Sequence, residues 1–126
     1  MSVKVLYVDD EPDIREVATM SLEMDPELEV RALESVVQAL ELLEADGWRP
    51  DLIMLDVMMP DIDGPTTLQR LRALPPHAAT PVVFITARAQ PEERARFLAL
   101  GALGVITKPF DPMTLAQQVR AHLPAA

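Results

Sequence analysis

The strongest constraint on this chain is the way two hydrophobic periods alternate along it. Short apolar runs recur at Val3 to Val8, Leu28 to Leu33, Leu52 to Leu55, Val82 to Ile85 and Gly104 to Ile106, and each is followed by a segment with helical spacing. Ile14, Val17, Ala18, Ser21 and Leu22 share one helical face, and Val36, Ala39, Leu40 and Leu43 share a second. Leu68 and Leu71 belong to a third; Phe97, Leu98 and Leu100, then Leu115, Val119 and Leu123, supply the last two. Runs apolar at nearly every position are those of parallel strands covered on both faces. Strand and helix alternating in this way predict an α/β fold, a doubly wound parallel sheet with helices on both sides, because right-handed crossovers deliver them there. A closed barrel needs more strands. Breaks at Asp46-Gly47, Pro60 to Gly64, Pro75-Pro76 and Gly101 fall between the runs, where turns are required.

The 126 residues suit one core, and a domain of this size buries about two-thirds of its extended-chain surface. One domain over residues 1–126 is expected, with no effector segment after Leu123-Pro124-Ala125-Ala126. No apolar run approaches the roughly 20 residues of a membrane span. The N-terminal apolar run meets Asp9 too soon for a signal peptide, so a cytoplasmic location is predicted. The absence of cysteine excludes disulfides, thiolate metal sites and sulfur nucleophiles. A net charge of −9 repels nucleic acid, and the densest basic group, Arg88, Arg94 and Arg96, is interleaved with Glu92 and Glu93. Direct nucleic-acid or membrane binding is not expected.

In open α/β sheets ligands bind beyond the carboxyl ends of the strands. Those positions carry Asp9, Asp10 and Glu11 after the first run, Asp56 after the third, Thr86 after the fourth, and Thr107, Lys108 and Pro109 after the fifth. With the first strand central, Asp9, Asp10 and Asp56 converge on one rim. Two carboxylates about 4 Å apart repel by about 4 kcal/mol at an effective dielectric of 20, so such a rim calls for a cation. All-oxygen donors suit a hard ion such as Mg²⁺. Beside it, Lys108 supplies a point charge and the Thr86 hydroxyl a hydrogen bond, a set of groups suited to phosphoryl transfer onto an aspartate.

Simpler readings stand beside these. Asp9-Asp10-Glu11 before Pro12 is also an ordinary polar helix start, and a lysine at the end of a strand is usually just solvated. Asp61-Ile62-Asp63-Gly64 resembles the opening of a calcium loop, but its twelfth position is Arg72, so it reads as the cap of the third helix. His77 is placed in a proline-rich loop on the opposite rim and His122 in the last helical turn, neither catalytic. Trp48 and the methionines read as packing groups.

Four segments, Val8-Asp9-Asp10-Glu11-Pro12, Leu55-Asp56-Val57-Met58-Met59-Pro60-Asp61-Ile62-Asp63-Gly64, Phe84-Ile85-Thr86-Ala87-Arg88 and Thr107-Lys108-Pro109-Phe110, together resemble the receiver domain of two-component response regulators, chemotaxis-regulator-like proteins included. The resemblance covers essentially the whole chain. It implies a flavodoxin-like, three-layer α/β/α fold with five helices and strand order 2-1-3-4-5. It further implies that Asp56 is the phosphoacceptor and that Asp10, Asp56 and the backbone carbonyl of Met58 bind Mg²⁺, with Asp9 acting mainly through water. Lys108, Thr86 and the backbone N–H of Ala87 would contact the phosphoryl oxygens, and the Lys108-Pro109 bond would be cis. Met58 and Arg88 stand where family members tune the lifetime of the phosphorylated state. One position departs from the pattern: Val105 replaces the aromatic residue used by members that signal through coupled rearrangement.

Three functions are therefore weighed. A phosphorylatable switch of a phosphorelay takes a phosphoryl group from a phosphohistidine on a sensor histidine kinase or phosphotransfer protein, loses it by autodephosphorylation, and acts on a downstream target protein as a monomer or weak dimer through its fourth and fifth helices. A receiver-like interaction module binds its partner without phosphorylation. A flavin or nucleotide enzyme on the same fold needs a glycine- or hydroxyl-rich phosphate loop after the first strand, where this chain places three acids. A stand-alone phosphatase lacks a second general acid.

Overall fold

The computed structural model describes residues 3–45, 47–87 and 90–123. Its elements run β1 (Val3–Val8), α1 (Pro12–Glu23), β2 (Leu28–Leu33), α2 (Val36–Glu44), β3 (Leu52–Asp56), α3 (Gly64–Arg72), a short 3-10 turn (Pro75–His77), β4 (Val82–Thr86), α4 (Pro91–Ala99), β5 (Gly104–Thr107) and α5 (Leu115–His122). The five strands are parallel, in the order β2-β1-β3-β4-β5. The predicted doubly wound α/β sheet is thus observed. The third, fourth and fifth strands each run one residue past their apolar runs, to Asp56, Thr86 and Thr107.

Alternation along the strands divides the core in two. Val5 and Tyr7 of β1, with Leu52 and Met54 of β3, pack with Ala18, Leu22, Leu115 and Val119 of α1 and α5. Leu6, Val8, Ile53 and Leu55 face the other way, toward Ala39, Leu43, Leu68, Leu71 and Phe97 of α2, α3 and α4. The rings of Phe84 and Phe97 meet edge to face at 5.0 Å, and fully burying such a side chain contributes roughly 1.5–3 kcal/mol.

Local chemistry starts the helices. Ser35 caps α2 by accepting from the Gln38 N–H at 3.1 Å, and Asp63 caps α3 by accepting from the Thr66 N–H at 2.8 Å. The turn reading of Asp61 to Gly64 therefore holds. Proline opens α1 and α4, where a missing N–H costs nothing. A Cβ on Gly64 would lie 3.2 Å from the Val57 Cα and 3.3 Å from the Phe84 ring. Glycine lets the segment after β3 fold back tightly at this place.

Some helix faces differ from their spacing. Val17, Leu98 and Leu100 are exposed, while Ala18, Leu22 and Phe97 are buried beside them. His77 lies in the proline-rich connection before β4, buried in the 3-10 turn, its Nε2 3.3 Å from the Leu43 carbonyl and its Nδ1 3.3 Å from the Thr80 hydroxyl. Trp48 is buried as a packing group and also donates to Glu29 at 2.7 Å. His122 ends α5 with its ring against Gly104, where a Cβ would overlap Nε2. Asp46 and Pro124 to Ala126 lie outside the described residues.

Candidate functional site

Sheet register brings the acidic residues together. Val8 pairs with Leu55 across β1 and β3, so the next residues, Asp9 and Asp56, leave adjacent strands at the same level. Asp56 pairs with Ile85, and Thr86 pairs with Thr107, which puts Lys108 one residue past β5 on the same rim. The Lys108 N–H donates to the Thr86 carbonyl at 2.8 Å, and the Lys108-Pro109 bond is cis.

Lys108 Nζ lies 2.7 Å from Asp56 Oδ2, 2.8 Å from Asp9 Oδ2 and 3.4 Å from Glu11 Oε1. The carboxylates of Asp9, Glu11 and Asp56 each offer an oxygen within 4.8 Å of the others. Three formal negative charges against one ammonium leave a formal −2 at the rim. Asp9 is fully buried and Asp56 is 4% exposed, while the Glu11 side chain is 55% exposed and opens the cluster to solvent. Asp9 Oδ2 also accepts from the Tyr7 hydroxyl at 2.9 Å, Asp9 Oδ1 from the Glu11 N–H at 3.0 Å, and the Asp9 carbonyl from Arg15 at 2.8 Å. Asp56 Oδ1 accepts from the Met58 N–H at 3.0 Å.

Burial and pairing pull against each other here. Burial raises the Asp56 pKa, and the hydrogen bonds from Lys108 and the Met58 N–H only partly offset it. For Lys108, burial disfavours the ammonium, but the carboxylates of Asp56 and Asp9 outweigh it and push the pKa up. Lys108 is therefore a fixed cation at neutral pH. Tyr7 is also pushed up, first by burial and then by the charge and hydrogen bond of Asp9, so it stays a phenol and donates.

The predicted residues are not all equal. Asp9, Asp56 and Lys108 meet directly. Asp10 is exposed and is not one of the three clustered carboxylates; Glu11 takes that place. Thr86 is buried at the end of β4, Ala87 follows it at the surface, and the Met58 side chain is 78% exposed. Arg88 lies outside the described residues. Val105 is buried opposite Phe84 in the sheet register. Tyr7 is not among the residues that the sequence singles out, and Glu11, one of the three acids after the first run, has no assigned role there. The signal for Tyr7 was its position two before Asp9, hence on the same strand face. Beside the cluster, a cleft of about 190 Å³ is lined by Asp13, Ile14, Val17, Lys108, Pro109 and Phe110.

A five-stranded parallel sheet with an acid-and-lysine rim at its carboxyl edge defines a class of flavodoxin-like domains. Within it, the family model described as "Response regulator receiver domain" matches residues 5–120. This chain belongs to the receiver domains of response regulators. It is 37% identical over 123 residues to the DNA-binding dual master transcriptional regulator RpaA of Synechocystis, covering 95% of this chain and 48% of RpaA. To the phosphate regulon transcriptional regulatory protein PhoB of Escherichia coli it is 37% identical over 123 residues, covering 96% of this chain and 52% of PhoB. The chain thus spans about half the length of these two regulators. The solved structure of the chemotaxis response regulator CheY4 of Vibrio cholerae superposes with a TM-score of 0.88 at 32% identity, covering 98% of this chain and 100% of CheY4. No helix among the described residues is long and apolar enough to cross a membrane.

Proposed function

We propose that this receiver domain is a phosphorylatable switch in which Asp56 takes a phosphoryl group from a phosphohistidine on a sensor histidine kinase or histidine phosphotransfer protein. The observation that carries the reading is the Asp56 carboxylate, buried at the end of β3, with Lys108 Nζ at 2.7 Å and two further carboxylates beside it. An Asp56 oxygen attacks phosphorus as the bond from phosphorus to the donor imidazole nitrogen breaks, leaving an aspartyl phosphate and a free histidine. Lys108 offsets charge on the phosphoryl oxygens, and the Met58 N–H orients the carboxylate through Oδ1. The Thr86 hydroxyl and the Ala87 N–H are assigned to the remaining phosphoryl oxygens. Attack of water on phosphorus later returns the free carboxylate and inorganic phosphate, the only turnover assigned to the domain itself.

The donor set fits Mg²⁺. All its groups are oxygens, their formal charge is unbalanced by −2, and one side is open through Glu11. Asp56, Asp10 and the Met58 carbonyl are assigned as its direct holders, Asp9 as a holder through water, and Glu11 as an alternative to Asp10. When bound, the ion neutralises charge on the transferring phosphoryl group. The cleft beside Lys108, with Ile14, Val17, Pro109 and Phe110 as its apolar lining, supports docking of a helical phosphodonor at this rim. A cytoplasmic setting accords with such a donor.

Incubation with Mg²⁺ and acetyl phosphate or phosphoramidate is expected to add one phosphoryl group by intact mass, and Asp56→Asn is expected to gain none. Unchanged mass in the wild-type protein would overturn the reading.

A further inference from the structure

The pocket contains a buried polar group that none of the assigned roles uses. The Tyr7 ring is fully buried in β1 among Ala18, Leu22 and Met54, yet its hydroxyl donates to Asp9 Oδ2 at 2.9 Å. The same oxygen lies 2.8 Å from Lys108 Nζ, and Asp9 Oδ1 takes the Glu11 N–H. Every oxygen of this fully buried carboxylate is thereby held by a protein donor. Asp9 has little freedom to rotate toward an ion. Tyr7 and Asp9 can meet because residues two apart on a strand share a face, and Arg15 fixes the backbone between them and α1 through the Asp9 carbonyl.

We propose that Tyr7 is a positioning residue of the acidic pocket, whose phenol holds the Asp9 carboxylate in the orientation from which it supports Mg²⁺. The inference rests on the Mg²⁺-dependent reading above. Without the phenol, Asp9 Oδ2 keeps the Lys108 ammonium at 2.8 Å, and the carboxylate turns toward that ammonium, which it shares with Asp56. The ordering of the second layer around an ion is then lost. Groups that orient metal-supporting side chains through one hydrogen bond typically matter about 10- to 100-fold in metal affinity.

Calorimetric titration of the metal-free protein with Mg²⁺ provides the test. Tyr7→Phe keeps the ring in the core and removes only the hydroxyl, and is expected to weaken Mg²⁺ binding about tenfold. The discriminating arm is the same change in an Asp9→Ala background, where it is expected to alter affinity by about twofold or less, because the acceptor of the phenol is already gone. Equal affinity in wild type and Tyr7→Phe overturns the positioning role while leaving the Mg²⁺ reading intact. An undiminished loss in the Asp9→Ala background also overturns it, since a purely structural effect would persist there. If the wild-type protein itself takes up no Mg²⁺, both readings fall together.

Discussion

Lys108 and Arg120 each face more than one carboxylate, but they do so in different surroundings. Lys108 is 10% exposed and set among Asp9, Asp56 and Glu11 at the rim of the sheet. Arg120, 40% exposed on α5, grips Asp25 through both Nε and a terminal nitrogen and reaches Glu27 at 3.5 Å. The paired acids shift in opposite directions. The Arg120 guanidinium, followed by the Glu27 N–H, holds the Asp25 pKa down at about 2, whereas burial carries Asp56 up in spite of Lys108. In water a pair costs little desolvation and contributes little; in the rim, burial of the Asp56 carboxylate outweighs what the Lys108 ammonium returns to it. The exposed cluster is a surface tie between α5 and the α1–β2 connection, and the buried one is an unbalanced site that gains from a further cation.

Removing each cation tests that contrast most directly. Lys108→Met leaves three carboxylates facing each other, and the metal-free protein is expected to lose about 3–5 kcal/mol by urea denaturation. A loss no larger than that of an exposed pair would erase the distinction. Next in size is the response to Mg²⁺: at about 100 times its Kd it is expected to stabilise the wild-type protein by about 2.7 kcal/mol. Arg120→Gln should leave that gain unchanged. Smallest is Arg120→Gln itself, with only a slight fall in thermal midpoint that shrinks further in high salt. Its pH dependence has a definite sign. A depressed carboxylate pKa contributes stability above the ordinary carboxylate range and loses it as pH falls through the folded value, so the gap between wild type and Arg120→Gln should close toward pH of about 2. Asp56 behaves oppositely: ionised, it costs the metal-free fold stability, and acid relieves that cost.

Much of this arrangement was legible in the chain. Val3 to Val8 and Leu28 to Leu33 are strands over the very residues of their apolar runs. Asp63 caps α3 as its position before Gly64-Pro65 required. The errors lie where spacing names a face but not its neighbour. Val17, Leu98 and Leu100 fit helical faces in period, yet the sheet covers only the part of each helix that Ala18, Leu22 and Phe97 occupy. The prolines around His77 place it in a loop but say nothing of its burial, which brings it to the Leu43 carbonyl 34 residues away.

The sequence alone determined that there would be a parallel sheet with Asp56, Thr86 and Lys108 at its carboxyl rim, because periodicity and strand ends are local properties of the chain. It could not decide which of Asp9, Asp10 and Glu11 would face Asp56. Successive side chains leave the backbone in different directions, and the loop's course is set by contacts distant in sequence, from Arg15 on α1 to Lys108 beyond β5. Only the packed sheet buried Asp9 against Tyr7, turned Glu11 toward Lys108 and left Asp10 in solvent.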